Sequence, residues 1–134
     1  MRKLWALLLA LTLLLAGCGG GESFPHFADG DTVGEGETSF TLTILDDQET
    51  QVRLTVRTDA ETVGEALQAE HIVFGTDGEY GLYIETVNGL TLDYDETGSY
   101  WAFYVDGAYA QQSADQTPVE DGGDYALKAE TIQR

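Results

Sequence analysis

Residues able to do chemistry are few and scattered in this chain. The serines are Ser23, Ser39, Ser99 and Ser113, none in a nucleophile-elbow sequence, and His26 and His71 are the only candidate bases. No hydrolytic constellation can be assembled from them. His26 stands in Phe24-Pro25-His26-Phe27 without a partner nearby and reads as linker. His71 closes a helical segment, where a cation complements the helix dipole and solvates easily. Carboxylates are so abundant that a pair of them carries little information. Asp93-Tyr94-Asp95-Glu96-Thr97-Gly98 has the start of a calcium-loop spacing, but Thr97 stands at the fifth place and Tyr104 at the twelfth, where a bidentate Glu is needed. It reads as a solvated acidic turn. No His/Cys cluster suggests zinc, and no glycine loop opens a helix as phosphate binding requires. The expectation is a protein that binds and does not catalyse, without a metal or a covalent cofactor.

The chemistry that remains is aromatic. Most of the tyrosines fall between Tyr80 and Ala110, in Tyr80-Gly81-Leu82-Tyr83-Ile84-Glu85-Thr86-Val87-Asn88-Gly89-Leu90 and then Tyr100-Trp101-Ala102-Phe103-Tyr104-Val105-Asp106-Gly107. Asn-Gly and Asp-Gly favour type I′ hairpin turns, whose two central residues need φ > 0. The flanking runs are β-branched and aromatic, as strands are. Trp101, Phe103 and Val105 alternate with Tyr100, Ala102 and Tyr104, so one set faces a core and the other the opposite surface. An apolar edge left exposed at the Val87–Leu90 turn would mark a binding site.

The beginning of the chain is read as a leader. Arg2 and Lys3 precede an apolar run, Leu4 to Leu15, too short to span a bilayer and of the length of a secretory core segment. The run ends in Leu15-Ala16-Gly17-Cys18, which resembles the bacterial lipobox. By that resemblance residues 1–17 are a lipoprotein signal peptide and Cys18 carries the lipid; the plainer reading is an ordinary signal peptide with an incidental cysteine. Two or three acyl chains anchor stably, at about 0.8 kcal/mol per buried methylene. The expected location is therefore extracytoplasmic, on the outer face of a bacterial cell membrane. Without Arg2 and Lys3, 24 acids stand against Arg53, Arg57, Lys128 and Arg134, a formal charge of −20. Such a surface excludes nucleic acid as a partner, because that binding depends on Lys and Arg at phosphates. Solubility or an acidic proteome explains it without a specific cationic partner. With one cysteine, no internal disulfide forms.

The elements follow from periodicity. Residues 18–37 are rich in Gly and acids and read as a self-repelling tether. From Thr38, Phe40, Leu42 and Ile44 share a face, Asp46-Asp47-Gln48-Glu49 turns, and Val52, Leu54 and Val56 alternate with Arg53, Thr55 and Arg57: an antiparallel hairpin buried on one face. Thr62 with Glu65 fits a capping box for a short helix that places Val63, Ala66 and Leu67 on one side and ends at Glu70. Ile72-Val73-Phe74 and Gly75 to Glu79 lead into a turn. Hairpins about Asn88-Gly89 and Asp106-Gly107 follow, with Thr97-Gly98 turning between them, and a last strand runs from Asp124 to about Thr131. This order predicts an α+β domain over 38–134, β-grasp-like, with one short helix packed on a mixed sheet bearing aromatic hairpins.

Those aromatic hairpins, with Ser113-Ala114-Asp115, Asp121-Gly122-Gly123-Asp124 and the helix start Thr62-Val63-Gly64-Glu65-Ala66-Leu67, resemble the DUF4430 domain. That domain is similar to the C-terminal β-domain of the animal cobalamin carriers, transcobalamin and intrinsic factor. The carriers hold cobalamin between an α/α barrel and this small domain, so the resemblance implies ligand contacts at Thr86, Val87, Asn88, Gly89 and Leu90 and at Trp101, Ala102, Phe103 and Tyr104. This chain has no α/α barrel, and Ala102 stands where the carriers have Gln and Gln116 where they have Tyr. The resemblance implies capture of cobalamin or a related corrinoid for uptake, through a transporter or partner protein. The alternative is a protein-interaction or cell-surface architecture module using the same hairpins.

Overall fold

The computed structural model describes residues 24–132. The leader read at 1–17 and Cys18 lie outside the described residues. The hairpin foreseen from alternation is β2 (Thr38–Leu45) and β3 (Gln51–Thr58), paired antiparallel with Leu42 opposite Leu54. Helix α1 (Val63–Ala69) follows. Its start is capped by Thr62, whose hydroxyl accepts the Glu65 N–H at 3.2 Å. The Glu65 carboxylate reaches back one residue beyond the usual box, to the Glu61 N–H. Its end is a Schellman motif: Ile72 N–H donates to Leu67 O and His71 N–H to Gln68 O, with His71 at φ 59° in the place glycine usually takes.

Then come β4 (Val73–Gly78), β5 (Gly81–Val87), β6 (Leu90–Thr91), the one-turn helix α2 (Tyr94–Thr97), β7 (Ser99–Val105), β8 (Ala108–Tyr109), a 3₁₀ turn at Ala114–Gln116 and β9 (Asp124–Thr131). In the larger, mixed sheet the order β3-β2-β9-β7 places β9 between β2, to which it is parallel, and β7, to which it is antiparallel. This is the β-grasp arrangement expected, and the domain is α+β. Register puts Leu42, Tyr125 and Val105 in one row and Ile44, Leu127 and Phe103 in the next. Those rows face Val63, Ala66 and Leu67 of α1 in one buried core. Burying each Leu or Val of that core contributes on the order of 1.5–3 kcal/mol.

Three differences from the sequence reading have physical causes. Residues 73–78, read as a lead into a turn, are a strand, with the turn itself at Glu79 and Tyr80: β4, β5 and β6 form a second, antiparallel sheet. A glycine-broken, polar run hides its pairing, and the register shifts between Phe74 and Gly75 as at a bulge. Gly75 is needed there, since a Cβ on it would lie 2.0 Å from the Tyr83 carbonyl oxygen. Thr97-Gly98 is the end of α2, where Asp93 accepts from the N–H groups of Asp95 and Glu96 and Gly98 adopts φ 71°. The part of the expected tether from Phe24 to Glu37 lies against the domain. Its Thr32–Val33 forms β1, parallel to β3 at the edge of the mixed sheet, and Phe24 packs on Phe74 with ring centroids 4.8 Å apart. Backbone pairing, buried Val33, the Phe24 and Phe27 rings and the side chain of Asn88 hold this segment, and its partners do not show in its composition.

Candidate functional site

Both hairpin turns form as their dipeptides require. Val87 pairs with Leu90 across Asn88 and Gly89 (φ 47° and 84°), and Val105 pairs with Ala108 across Asp106 and Gly107 (φ 50° and 83°). The first turn lines a pocket of about 290 Å³ in which Val87, Asn88, Gly89 and Leu90 meet Trp101, reached across the core from β7. The remaining wall comes from the β2–β3 hairpin, with Ile44 and Val52 apolar and Asp46, Asp47 and Thr50 polar, and from His26. Of the nine expected contact residues this pocket brings together Val87, Asn88, Gly89, Leu90 and Trp101, while Thr86, Ala102, Phe103 and Tyr104 do not line it.

The nine candidate residues divide by strand geometry. Trp101 and Phe103 point inward and are buried, while Ala102 and Tyr104 lie on the opposite face of β7, because successive strand residues alternate; Ala102 is buried there too, and Tyr104 is half-buried. Thr86 is buried and shares a 2.6 Å hydrogen bond with Thr91. Asn88 is 7% exposed and works inward: its carbonyl accepts the Phe27 N–H at 2.7 Å and its amide donates to the Phe27 carbonyl at 3.0 Å. Gly89 is exposed and Leu90 partly buried, so the accessible part of the turn is small. The Trp101 indole N–H is buried without a hydrogen-bond partner. Leaving such a donor unmet costs on the order of 1–3 kcal/mol.

Trp101 also borders a second recess, of about 600 Å³, which it shares with Phe103, Tyr80, Tyr83, Tyr109 and residues 110–113. Asp115 ties together two lining residues of this recess, Ser113 and Leu82. It accepts from Ser113 Oγ at 2.5 Å and from the Leu82 N–H at 3.0 Å, which hold its carboxyl below the ordinary carboxylate range. The Ser-Ala-Asp sequence is therefore a clamp from the 3₁₀ turn to β5. Sequence reasoning missed this recess because its walls come from segments far apart in the chain.

On the outer face of β7, Tyr104 donates a short hydrogen bond to Glu130 and is also partly desolvated, which together push its hydroxyl up to about 12. The folded chain holds that proton more tightly than the unfolded chain, where tyrosine ionises near 10.0. Its contribution to stability is intact below pH 10 and fades as pH rises toward 12. In a phenolate absorbance titration, Tyr104 should ionise among the last tyrosines, and Glu130→Ala should return one tyrosine toward the ordinary value. A titration unchanged by that substitution would show that the pair does not form.

No group of three or more His, Cys, Asp or Glu placed to hold a metal ion occurs among the described residues. The acidic turn at Asp93 spends that carboxylate on the cap of α2. No helix among the described residues is long and apolar enough to cross a membrane.

No curated protein matches the sequence. Among solved structures, the chain is similar to a protein of Ruminococcus gnavus ATCC 29149 described as a "putative metal binding protein", at 37% identity and a TM-score of 0.68. The match covers 72% of this chain and 100% of that one. It is also similar in fold to haptocorrin, solved in complex with Cbi, at 18% identity and a TM-score of 0.52, over 72% of this chain. The chain spans 25% of the haptocorrin chain. The family model for a domain of unknown function, DUF4430, matches residues 60–128, from the start of α1 through most of β9. With that match over half of its length, the chain belongs to the DUF4430 family.

Proposed function

We propose that this protein is a non-catalytic capture domain for a corrinoid, held at the outer face of a bacterial membrane by lipidated Cys18. The observation that carries the reading is the pocket at the Val87–Leu90 turn, where the tip of β5–β6 meets Trp101 and the apolar Ile44 and Val52. About 290 Å³ is at the lower limit of a small-molecule site and suits the edge of a large flat ligand rather than all of it. The fold likeness to haptocorrin, which was solved with Cbi, supports a corrinoid as that ligand. In this reading a partner protein or transporter supplies the rest of the enclosure. A carbonyl or amide of the ligand would meet the polar wall at Asp46, Asp47 and Thr50, and an acceptor reaching Trp101 would satisfy its indole N–H.

Titration with cyanocobalamin and with cobinamide, followed by absorbance and calorimetry, tests this. Saturable binding at micromolar concentration or tighter is expected, weakened at least tenfold by Leu90→Ala at a temperature well below the melt of that variant, since Leu90 also packs against the core. Tyr109→Ala, on another face, should leave it intact. Absence of binding at tens of micromolar sinks the solitary-carrier reading. The anchor is tested separately, since Cys18→Ser should move the protein from the membrane to the soluble fraction.

A further inference from the structure

A different face gathers four tyrosines, two of them, Tyr83 and Tyr109, exposed. Tyr83, Tyr94, Tyr100 and Tyr109, with Ile132, line a recess of about 370 Å³ where the outer face of β7 and β8 meets β5 and α2. Tyr94 and Tyr100 stand with ring centroids 6.3 Å apart and planes at 67°, a corner rather than a stack. Tyr109 is 57% exposed and meets Tyr104 edge-on at 5.6 Å. An adjoining recess, which shares Tyr83 and Tyr94, carries Glu85, Asp93 and Asp95. Desolvation raises the Tyr83 hydroxyl, with Glu85, Asp95 and Asp93 adding to the shift, and likewise raises Tyr100 with help from Glu130. Carboxylates thus act on the recess from two sides.

Aromatic faces present negative charge density, and a corner of rings beside carboxylates suits a cation that is itself poorly hydrated. The face already takes one ammonium. Lys128 Nζ lies 4.4 Å from the centroid of the Tyr104 ring. A formal charge of −18 adds long-range attraction for cations. An anionic ligand would meet the same carboxylates with repulsion, and a neutral flat ligand would favour parallel ring platforms over a corner.

We propose that this tyrosine recess is a binding site for an organic ammonium group of the quaternary type, separate from the turn pocket. Acidic residues beside the recess supply the counter-charge, and the ring walls exclude water from the methyl groups. A ligand methylammonium head fits the scale of the recess, and its substituents would run toward Glu85 and Asp95.

Calorimetric or NMR titration with choline and with 3,3-dimethylbutan-1-ol, its neutral isostere, tests the proposal on the protein itself. Choline should bind saturably in the millimolar range or tighter, and roughly tenfold more tightly than the alcohol. Binding should weaken with added salt and with Glu85→Gln, and should fall at least fivefold in Tyr109→Ala, whose exposed ring contributes little to folding. Leu90→Ala should leave it unchanged. Equal binding of choline and the alcohol overturns the proposal without reference to any variant. So does the absence of saturation at tens of millimolar choline, or undiminished choline binding in a Tyr94→Ala/Tyr109→Ala variant with a native melt.

Discussion

Gly64→Ala is expected to lower the stability of the domain by about 2 kcal/mol or more, against the usual direction for such a change. In an exposed helix the substitution would gain about 1 kcal/mol from propensity. Gly64 is not exposed. It sits in the first turn of α1 against the 3₁₀ turn, and a Cβ on it would lie 2.5 Å from Asp115 N, 2.7 Å from Asp115 Cα and 2.9 Å from Ala114 C. All three are backbone atoms, so no side-chain rotation relieves the contact. Overpacking of this kind costs about 1–3 kcal/mol and sometimes more, which outweighs the propensity gain. The shift would also disturb the Asp115 clamp on Leu82 and the isolated bridge from Thr62 to Pro118. A drop in melting temperature of roughly 10 °C is the expected reading. A variant as stable as the parent would mean that the helix and the 3₁₀ turn are not in close contact in solution.

Asn88→Ala should cost about 3 kcal/mol, the second large effect. Two contributions combine. The side chain answers both polar groups of the Phe27 backbone, and removing it leaves them unmet at a cost of about 1–3 kcal/mol. Alanine at φ 47° adds about 1–2 kcal/mol of backbone strain that asparagine tolerates better. Asn88→Gly separates the two, relieving the strain while keeping the loss of the hydrogen bonds, so its melting temperature should fall between those of the parent and Asn88→Ala. If the two variants melt together, backbone strain at this turn is negligible. If Asn88→Ala melts like the parent, the segment around Phe27 is not held by this side chain. The same contacts mean that lost ligand binding in Asn88→Ala reports unfolding as readily as a lost contact. Leu90 is the cleaner probe of the turn pocket.

The sequence alone determined the parts whose signals are local. Alternation of Phe40, Leu42 and Ile44 and of Val52, Leu54 and Val56 specified the first hairpin and its buried face. Thr62 and Glu65 marked the helix start, and Asn88-Gly89 and Asp106-Gly107 the two type I′ turns, because positive φ is a property of those residues themselves. Alternation also separated Trp101 and Phe103 from Ala102 and Tyr104. The tertiary structure decided what depends on distant neighbours. Strand β4 is polar and broken by glycine, so its pairing with β5 is visible only in the register. The polar run ending at Glu37 looked like a tether until β3 gave Thr32–Val33 a partner and Asn88 gave Phe27 one. That Gly64 must be glycine depends on the backbone of Asp115, fifty-one positions further along. The tyrosine recess was equally hidden: each ring alone reads as an ordinary strand or turn residue. Four elements and Ile132, just past β9, had to converge before those rings came together, because side-chain proximity across a sheet is a consequence of register and not of spacing.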